Sequence, residues 1–319
     1  MDTSPFTAVD YLVVVSYLLL VVVAGSWMGK GQSTVADYFL AGRKMNWFVV
    51  CVSVAATDLS AISFTGVPAW LYAKDLKYTL GVFLLPFILL FVLFYLVRVF
   101  HRLKVFTTYE YLEHRFHPVA RTVTSLLFLG QRGAWLATAI YAPSLALATV
   151  SGFPVLGCIA TVGSLATLYT VLGGMKAVVW TDFVQFIVLA GDLLLMIGLL
   201  MSFFSWDAGA VWSRAGELTA PVTGAPHTRL VDWSLDLSTE ATVWSVLFFM
   251  SFYLVGTQGT DQVNVQRYLT VGSFRSMAKS VIGSGFVIMS MILLLAWLGL
   301  LLGVYYDRHP QLSRPGHPS

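Results

Sequence analysis

Trp47–Trp70 reads WFVVCVSVAATDLSAISFTGVPAW, apolar at both ends and polar in the middle, where Thr57, Asp58, Ser60, Ser63, Thr65, Gly66 and Pro68 fall. On insertion scales an aspartate at the centre of a membrane helix costs roughly 2.5 to 3.5 kcal/mol, so a span this polar requires a buried partner or a ligand in return. The reading is a membrane helix broken near Asp58, with the break serving as a binding site.

The rest of the chain supports a membrane setting. Of its 319 residues, 57% are hydrophobic and 11% charged, and the mean hydropathy is +0.77. A soluble globule could not bury that much apolar surface. The net charge of +3 is spread over short loops and forms no basic stripe, so nucleic acid is not an expected partner and the lipid bilayer is. Cys51 and Cys158 lie in apolar runs with no metal-ligand spacing and read as buried thiols. The six histidines show no ligand pattern, so no metal other than an alkali ion is expected. No nucleophile elbow, phosphate loop or zinc-protease helix occurs, and the chain does not read as an enzyme.

A helix needs about 20 apolar residues to cross the hydrocarbon. Such runs lie at about 11–29, 46–72, 78–100, 123–150, 154–174, 178–203, 243–264 and 279–305, giving an all-α polytopic protein of about eight spans in one transmembrane domain over 1–319. The first run is read as a retained span rather than a cleaved leader. Lys and Arg set the orientation. With the N-terminus outside, twelve fall on inner segments (Lys30, Arg43, Lys44, Arg98, Arg102, Lys104, Arg115, Arg121, Lys176, Arg267, Arg275, Lys279). Six fall on outer ones (Lys74, Lys77, Arg214, Arg229, Arg308, Arg314), and Arg132 lies within a span. The connection at about 205–240, with Trp206, Trp212 and Trp233, reads as an outer interfacial loop, and 306–319 as a polar tail.

A second interruption, Gly256–Gln262 (GTQGTDQ), breaks the seventh run, five runs after the first. An odd offset makes the two helices enter from opposite sides, as an inverted-topology repeat requires, and paired interruptions of this kind point to a transporter's site. Unwound backbone there offers carbonyls to sodium and half-helix N-termini to an anionic group. The bland alternative is a pair of polar helices whose groups satisfy one another. Asp182 and Arg132 fit either a structural ion pair or an ion pathway, and Tyr109–Phe116 (YEYLEHRF) could be only an amphipathic surface helix.

Four motifs carry a resemblance: Asp37–Arg43 (DYFLAGR), Tyr109–Phe116, Gly173–Asp182 (GGMKAVVWTD) with Gln185, and Thr260–Arg267 (TDQVNVQR). In order and spacing the chain resembles the sodium:solute symporter family, whose fold is of the LeuT type. The resemblance implies an extra helix (about 11–29), a first repeat (about 46–203) and the start of an inverted second repeat (about 243–305), so the chain reads as the truncated N-terminal portion of a symporter. It further implies sodium as the coupling ion, held in a principal site by the carbonyls of Ala56 and Leu59, with Asp182 at an acidic position that resembles part of a second sodium site, and a structural ion pair between Arg132 and Asp182. Hydroxyl ligands from the eighth core helix are expected to lie beyond these spans.

Substrate contact or gating is expected of Thr57, Asp58, Ser60, Ser63, Thr257, Gln258, Asp261 and Gln262. Thr257 and Gln258 stand where sugar-carrying members place an aromatic gate, which leaves a small carboxylate, amino acid, vitamin or nucleoside. The implied function is sodium-coupled symport of a small organic solute across the plasma membrane, with this portion alone not expected to transport. Two alternatives are a membrane sensor module of a signalling protein and a non-transporting partner of a full-length symporter.

Overall fold

The computed structural model describes residues 7–28, 32–103, 105–236 and 241–310. Lys30, Lys104, Arg314 and the tail beyond 310, all used in the sequence reading, lie outside them. The regular secondary structure of the described residues is helical, with one isolated β-bridge between Thr219 and Pro226.

Thirteen α-helices follow in order: α1 (Ala8–Met28), α2 (Val35–Leu40), α3 (Trp47–Asp58), α4 (Ala61–Ala73), α5 (Leu85–Val92), α6 (Arg98–Leu103), α7 (Thr108–Arg115), α8 (Pro118–Ser151), α9 (Val155–Phe203), α10 (Ala208–Glu217), α11 (Val243–Gly259), α12 (Gln262–Tyr268) and α13 (Phe274–Arg308). A 3₁₀ stretch, Leu76–Leu84, and a π turn, Leu93–Val97, join smoothly to α5 and α6. They give one apolar rod over Thr79–Leu103.

Among the described residues, three helices are long and apolar enough to cross a membrane by themselves: Thr79–Leu103, α9 and α13. At 1.5 Å per residue a straight α9 would be far longer than the roughly 30 Å hydrocarbon core. It is in fact two helices meeting at Gly174, whose φ of 56° and ψ of −161° belong to glycine alone. A Cβ there would also lie 2.8 Å from the Tyr38 carbonyl oxygen. α1 packs along α9, with the Tyr11 hydroxyl donating to the Ser151 carbonyl just before α9 and Gly25 against Tyr169. The Gln32 side chain donates to the Gly173 carbonyl at 2.8 Å, fastening this corner.

The core is built on α3, whose Val49, Val50, Val52, Val54 and Ala55 are all buried, against α13. α13 also packs on α4, so it lies across both halves of the interrupted span. Small residues set the closeness. A Cβ on Gly283 would come within 2.9 Å of Cys51 Sγ, and one on Gly299 within 3.0 Å of the Pro68 carbonyl oxygen. The outer connection forms the short helix α10 followed by a cap, in which Lys77 Nζ lies 3.4 Å from Asp232 and 3.5 Å from Asp75.

Candidate site at two broken helices

α3 ends at Asp58. The Leu59 amide closes the last turn on the Ala55 carbonyl at 3.0 Å, and Leu59 itself is extended. The Ser60 amide then turns to the Ser63 hydroxyl at 3.4 Å instead of back to the Ala56 carbonyl, and α4 begins. Helical bonding therefore stops at Ala56 and Leu59, the two positions expected to offer carbonyls to an ion. Thr57 bonds back to the Ser53 carbonyl at 2.8 Å.

The second break follows the same logic. α11 runs out at Gly259, Thr260 and Asp261 both direct their amides to the Gly256 carbonyl, and Asp261 Oδ1 caps α12 through the Val263 amide at 2.9 Å. An aspartate at this N-terminus also suits the helix dipole.

The two breaks meet. Gln258 Nε2 donates to Asp58 Oδ2 at 2.5 Å, and Asn264 Nδ2 donates to Asp58 Oδ1 at 3.4 Å and to the Thr257 carbonyl at 3.1 Å. The Tyr268 hydroxyl donates to Gln258 Oε1 at 3.0 Å. Gln258 and Asn264 are each 3% exposed, Tyr268 is wholly buried, and Asp58 keeps partial exposure. A carboxylate held by two neutral amides in this way keeps its solvation without a cation in contact.

One turn before the α3 break, a second cluster forms. Ser53 donates to Asp182 Oδ2 at 2.7 Å, and Arg267 reaches the same oxygen at 2.9 Å and Ser53 at 3.1 Å. Its remaining nitrogen donates to the Val263 carbonyl at 2.8 Å. Two expectations are corrected here. Asp182 pairs with Arg267, not with Arg132, because α12 carries Arg267 into the space between α3 and α9. Arg267, counted above as an inner-loop charge, is itself 7% exposed. Arg132, on α8, instead grips both oxygens of Asp261 at 2.8 and 2.9 Å.

Gln262, expected to face or gate the solute, turns its side chain toward the chain entering α7. Its oxygen accepts from the Thr108 amide at 2.9 Å and its nitrogen donates to the Phe106 carbonyl at 3.2 Å. It anchors α12 to the chain entering α7. Gln266 does the same to the Phe39 carbonyl at 2.9 Å. Thr257 bonds within its own helix, and Ser63 caps Ser60. Asn264, Tyr268 and Ser53 were not singled out in the sequence. The available signal was the spacing of Asp261, Asn264 and Tyr268, which places all three on one helical face.

The profile of the sodium:solute symporter family matches residues 38–312, which includes both breaks and both ion pairs. The chain belongs to the sodium:solute symporter family. The rabbit sodium-dependent multivitamin transporter is 33% identical over 98% of this chain and 48% of its own length. The Proteus mirabilis sodium/sialic acid symporter SiaT is 30% identical over 99% of this chain and 62% of its own. A solved structure of a Na⁺-coupled sialic acid symporter, in a substrate-bound outward-open state, superposes with a TM-score of 0.88 at 27% identity, covering 98% of this chain and 64% of that one. This symporter-family chain thus spans about half to two thirds of the length of the relatives it matches.

Proposed function

We propose that the protein carrying this chain is a secondary active transporter that couples the entry of sodium to that of a small organic solute. The observation that carries the reading is the pair of helix interruptions, tied to each other through Asp58 and Gln258, in a chain of this family. Sodium is held in a principal site at the carbonyls of Ala56 and Leu59, and Asp182 belongs to a second sodium site. Thr57, Asp58, Ser60, Ser63, Thr257, Gln258 and Asp261 face or gate the solute, while Gln262 keeps the anchoring place described above. Sodium binding favours the state open to the outside, and rocking of the α3/α4 and α11/α12 pairs against the remaining helices exposes the site to each side in turn.

The topology that goes with this reading has about eight spans, counting α1, the α3/α4 pair, Thr79–Leu103, α8, the two parts of α9, the α11/α12 pair and α13. The N-terminus lies outside in the plasma membrane. Relatives that carry vitamins, monocarboxylates and sialic acid support a small organic solute as the cargo class. The test is uptake into proteoliposomes made with the complete reading frame that encodes this chain, offering labelled monocarboxylates, vitamins and sialic acid with an inward sodium or potassium gradient. Uptake of one of them that requires sodium is the expected result. Equal uptake under both gradients, or none of any solute, overturns the reading.

A further inference from the structure

Two elements that meet at one end of the bundle supply cations and no carboxylate. No Asp or Glu occurs between Asp75 and Glu110, a stretch that takes in the whole Thr79–Leu103 rod, or between Asp261 and Asp307, which takes in nearly all of α13. The end of the rod carries Arg98 and Arg102, and the first two turns of α13 carry Arg275 and Lys279, all four exposed. Among the described residues none of these four side chains forms an ion pair or a hydrogen bond. The carboxylates of the other inner segments, Asp37, Glu110 and Glu113, are taken up by Thr34, the Phe106 amide and Arg121.

Aromatic rings hold two of these cations in place. Arg98 Cζ lies 5.9 Å from the centroid of the Phe274 ring, with His101 at 6.1 Å from the same ring, and Lys279 Nζ lies 5.5 Å from the centroid of Trp47. A guanidinium laid on a ring uses its face and keeps its in-plane N–H donors free for an anion. Phe274 is itself the first residue of α13, so the positive end of a long helix adds to the field there. Like charges on two adjoining helix ends repel one another until an anion stands among them.

From these cations the rod continues as an exposed aromatic column. Phe87, Phe91 and Tyr95 precede Arg98 at steps of three or four residues and are 71%, 47% and 66% exposed, with the rings of Phe91 and Tyr95 stacked at 4.7 Å. Arg98 to Phe87 is about 16 Å along the helix, close to half of the roughly 30 Å hydrocarbon core, the depth of one leaflet. We propose that Arg98 and Arg275 bind the phosphate headgroup of an anionic phospholipid of the inner leaflet, whose acyl chain lies along Tyr95, Phe91 and Phe87. A soluble anion would use the cations alone, whereas the column that starts beside them matches an acyl chain. Basic recesses between helix ends on the cytoplasmic side suit such headgroups. The inference rests on the topology proposed above and not on sodium coupling.

The experiment titrates the complete purified protein in detergent with radiolabelled dioleoyl phosphatidylglycerol. Saturable binding, displaced by the unlabelled lipid but not by dioleoyl phosphatidylcholine or glycerol phosphate, is the expected result. Arg98→Gln combined with Arg275→Gln should raise half-saturation about tenfold or more. Arg115→Gln combined with Lys176→Gln, which removes the same charge from other inner segments, should leave it unchanged. Phe91→Ser combined with Tyr95→Ser should weaken binding of the dioleoyl lipid while leaving the short-chain dihexanoyl form as it was. Equal losses in the two charge variants assign binding to net charge and overturn the inference, as does displacement by phosphatidylcholine or a parent that shows no saturable binding. Glycerol phosphate competing as well as the lipid assigns the site to a soluble anion and overturns it too. Loss of lipid binding with sodium-dependent uptake intact, read on the same preparations, leaves the proposed function standing.

Discussion

Asp58 and Gln258 are 200 residues apart in the chain and 2.5 Å apart in space, joining the end of one broken helix to the end of the other. A hydrogen bond to a charged acceptor is worth about 1.5 to 3 kcal/mol. Gln258→Ala removes that bond and leaves Tyr268 without its acceptor. Sodium-dependent uptake by the complete protein should fall at least about tenfold, while the amount inserted in the membrane stays level. Normal uptake with weakened insertion would assign the pair to folding alone.

Arg267 and Asp182 form the most deeply buried ion pair of the site, with side chains 8% and 15% exposed. Removing one partner from such a pair typically costs about 3 to 5 kcal/mol, because the other charge stays behind. Asp182→Ala and Arg267→Met should each lower thermal stability in detergent strongly, and the double variant by less than the sum. Strict additivity would show that the two side chains do not support each other.

Arg132 and Asp261 contrast with them. Their side chains are 30% and 24% exposed, and the pair spans α8 and the cap of α12. Being more open than the Arg267–Asp182 pair, it should contribute less to stability than that pair does. Asp261→Asn retains the cap and breaks the charge match, so it should alter the half-saturation for solute more than the melting temperature. A large melting shift with unchanged transport would contradict this.

The outer cap should respond to acid. Hydrogen bonds from Ser234, with the Arg229 charge assisting, hold the Asp232 carboxyl down at about 2. Burial pushes His227, whose Nδ1 stands 3.3 Å from the Leu71 carbonyl, below its ordinary value. Both groups bind protons more readily once the cap opens. The His227 contribution is therefore present above about pH 6.5 and declines as the pH drops below it. That of Asp232 is present above about pH 4 and is lost on the way to pH 2. Amide protection in 218–232, taken relative to the intrinsic exchange rate at each pH, should fall in two stages on acidification, and His227→Gln should abolish the first. A flat protection profile from neutrality to pH 4.5 would refute the His227 part.

Gly174 should tolerate nothing larger. Its backbone lies in a region closed to L side chains, and a Cβ would meet the Tyr38 carbonyl. Gly174→Ala is expected to cost on the order of 1 to 3 kcal/mol, read as a drop in melting temperature.

Much of this was legible from residue types. Asp58 in an apolar run, the Gly256–Gln262 interruption and the gap between the runs at about 154–174 and 178–203 all sit where the chain does break or turn, because glycine and unsolvated aspartate leave a helix few other choices. Partners across the bundle were not legible. Arg132 and Arg267 are alike in composition terms, and only the path of α12 decides which one meets Asp182. Arg267 looked like a loop cation because the helix carrying it is seven residues long. Gln262 lies next to Asp261, yet one helical position turns its side chain to Thr108 and Phe106 rather than to the ion pair.

α13 touches α3 at Gly283 and α4 at Gly299, about 24 Å apart along one helix axis. Both halves of the interrupted span therefore ride on a common rail, worn smooth where side chains would otherwise catch. In the proposed transport cycle, a tilt of one half is passed to the other through α13, since both halves bear on the same helix. A bulky residue at either glycine should jam both halves together, including the one it does not touch.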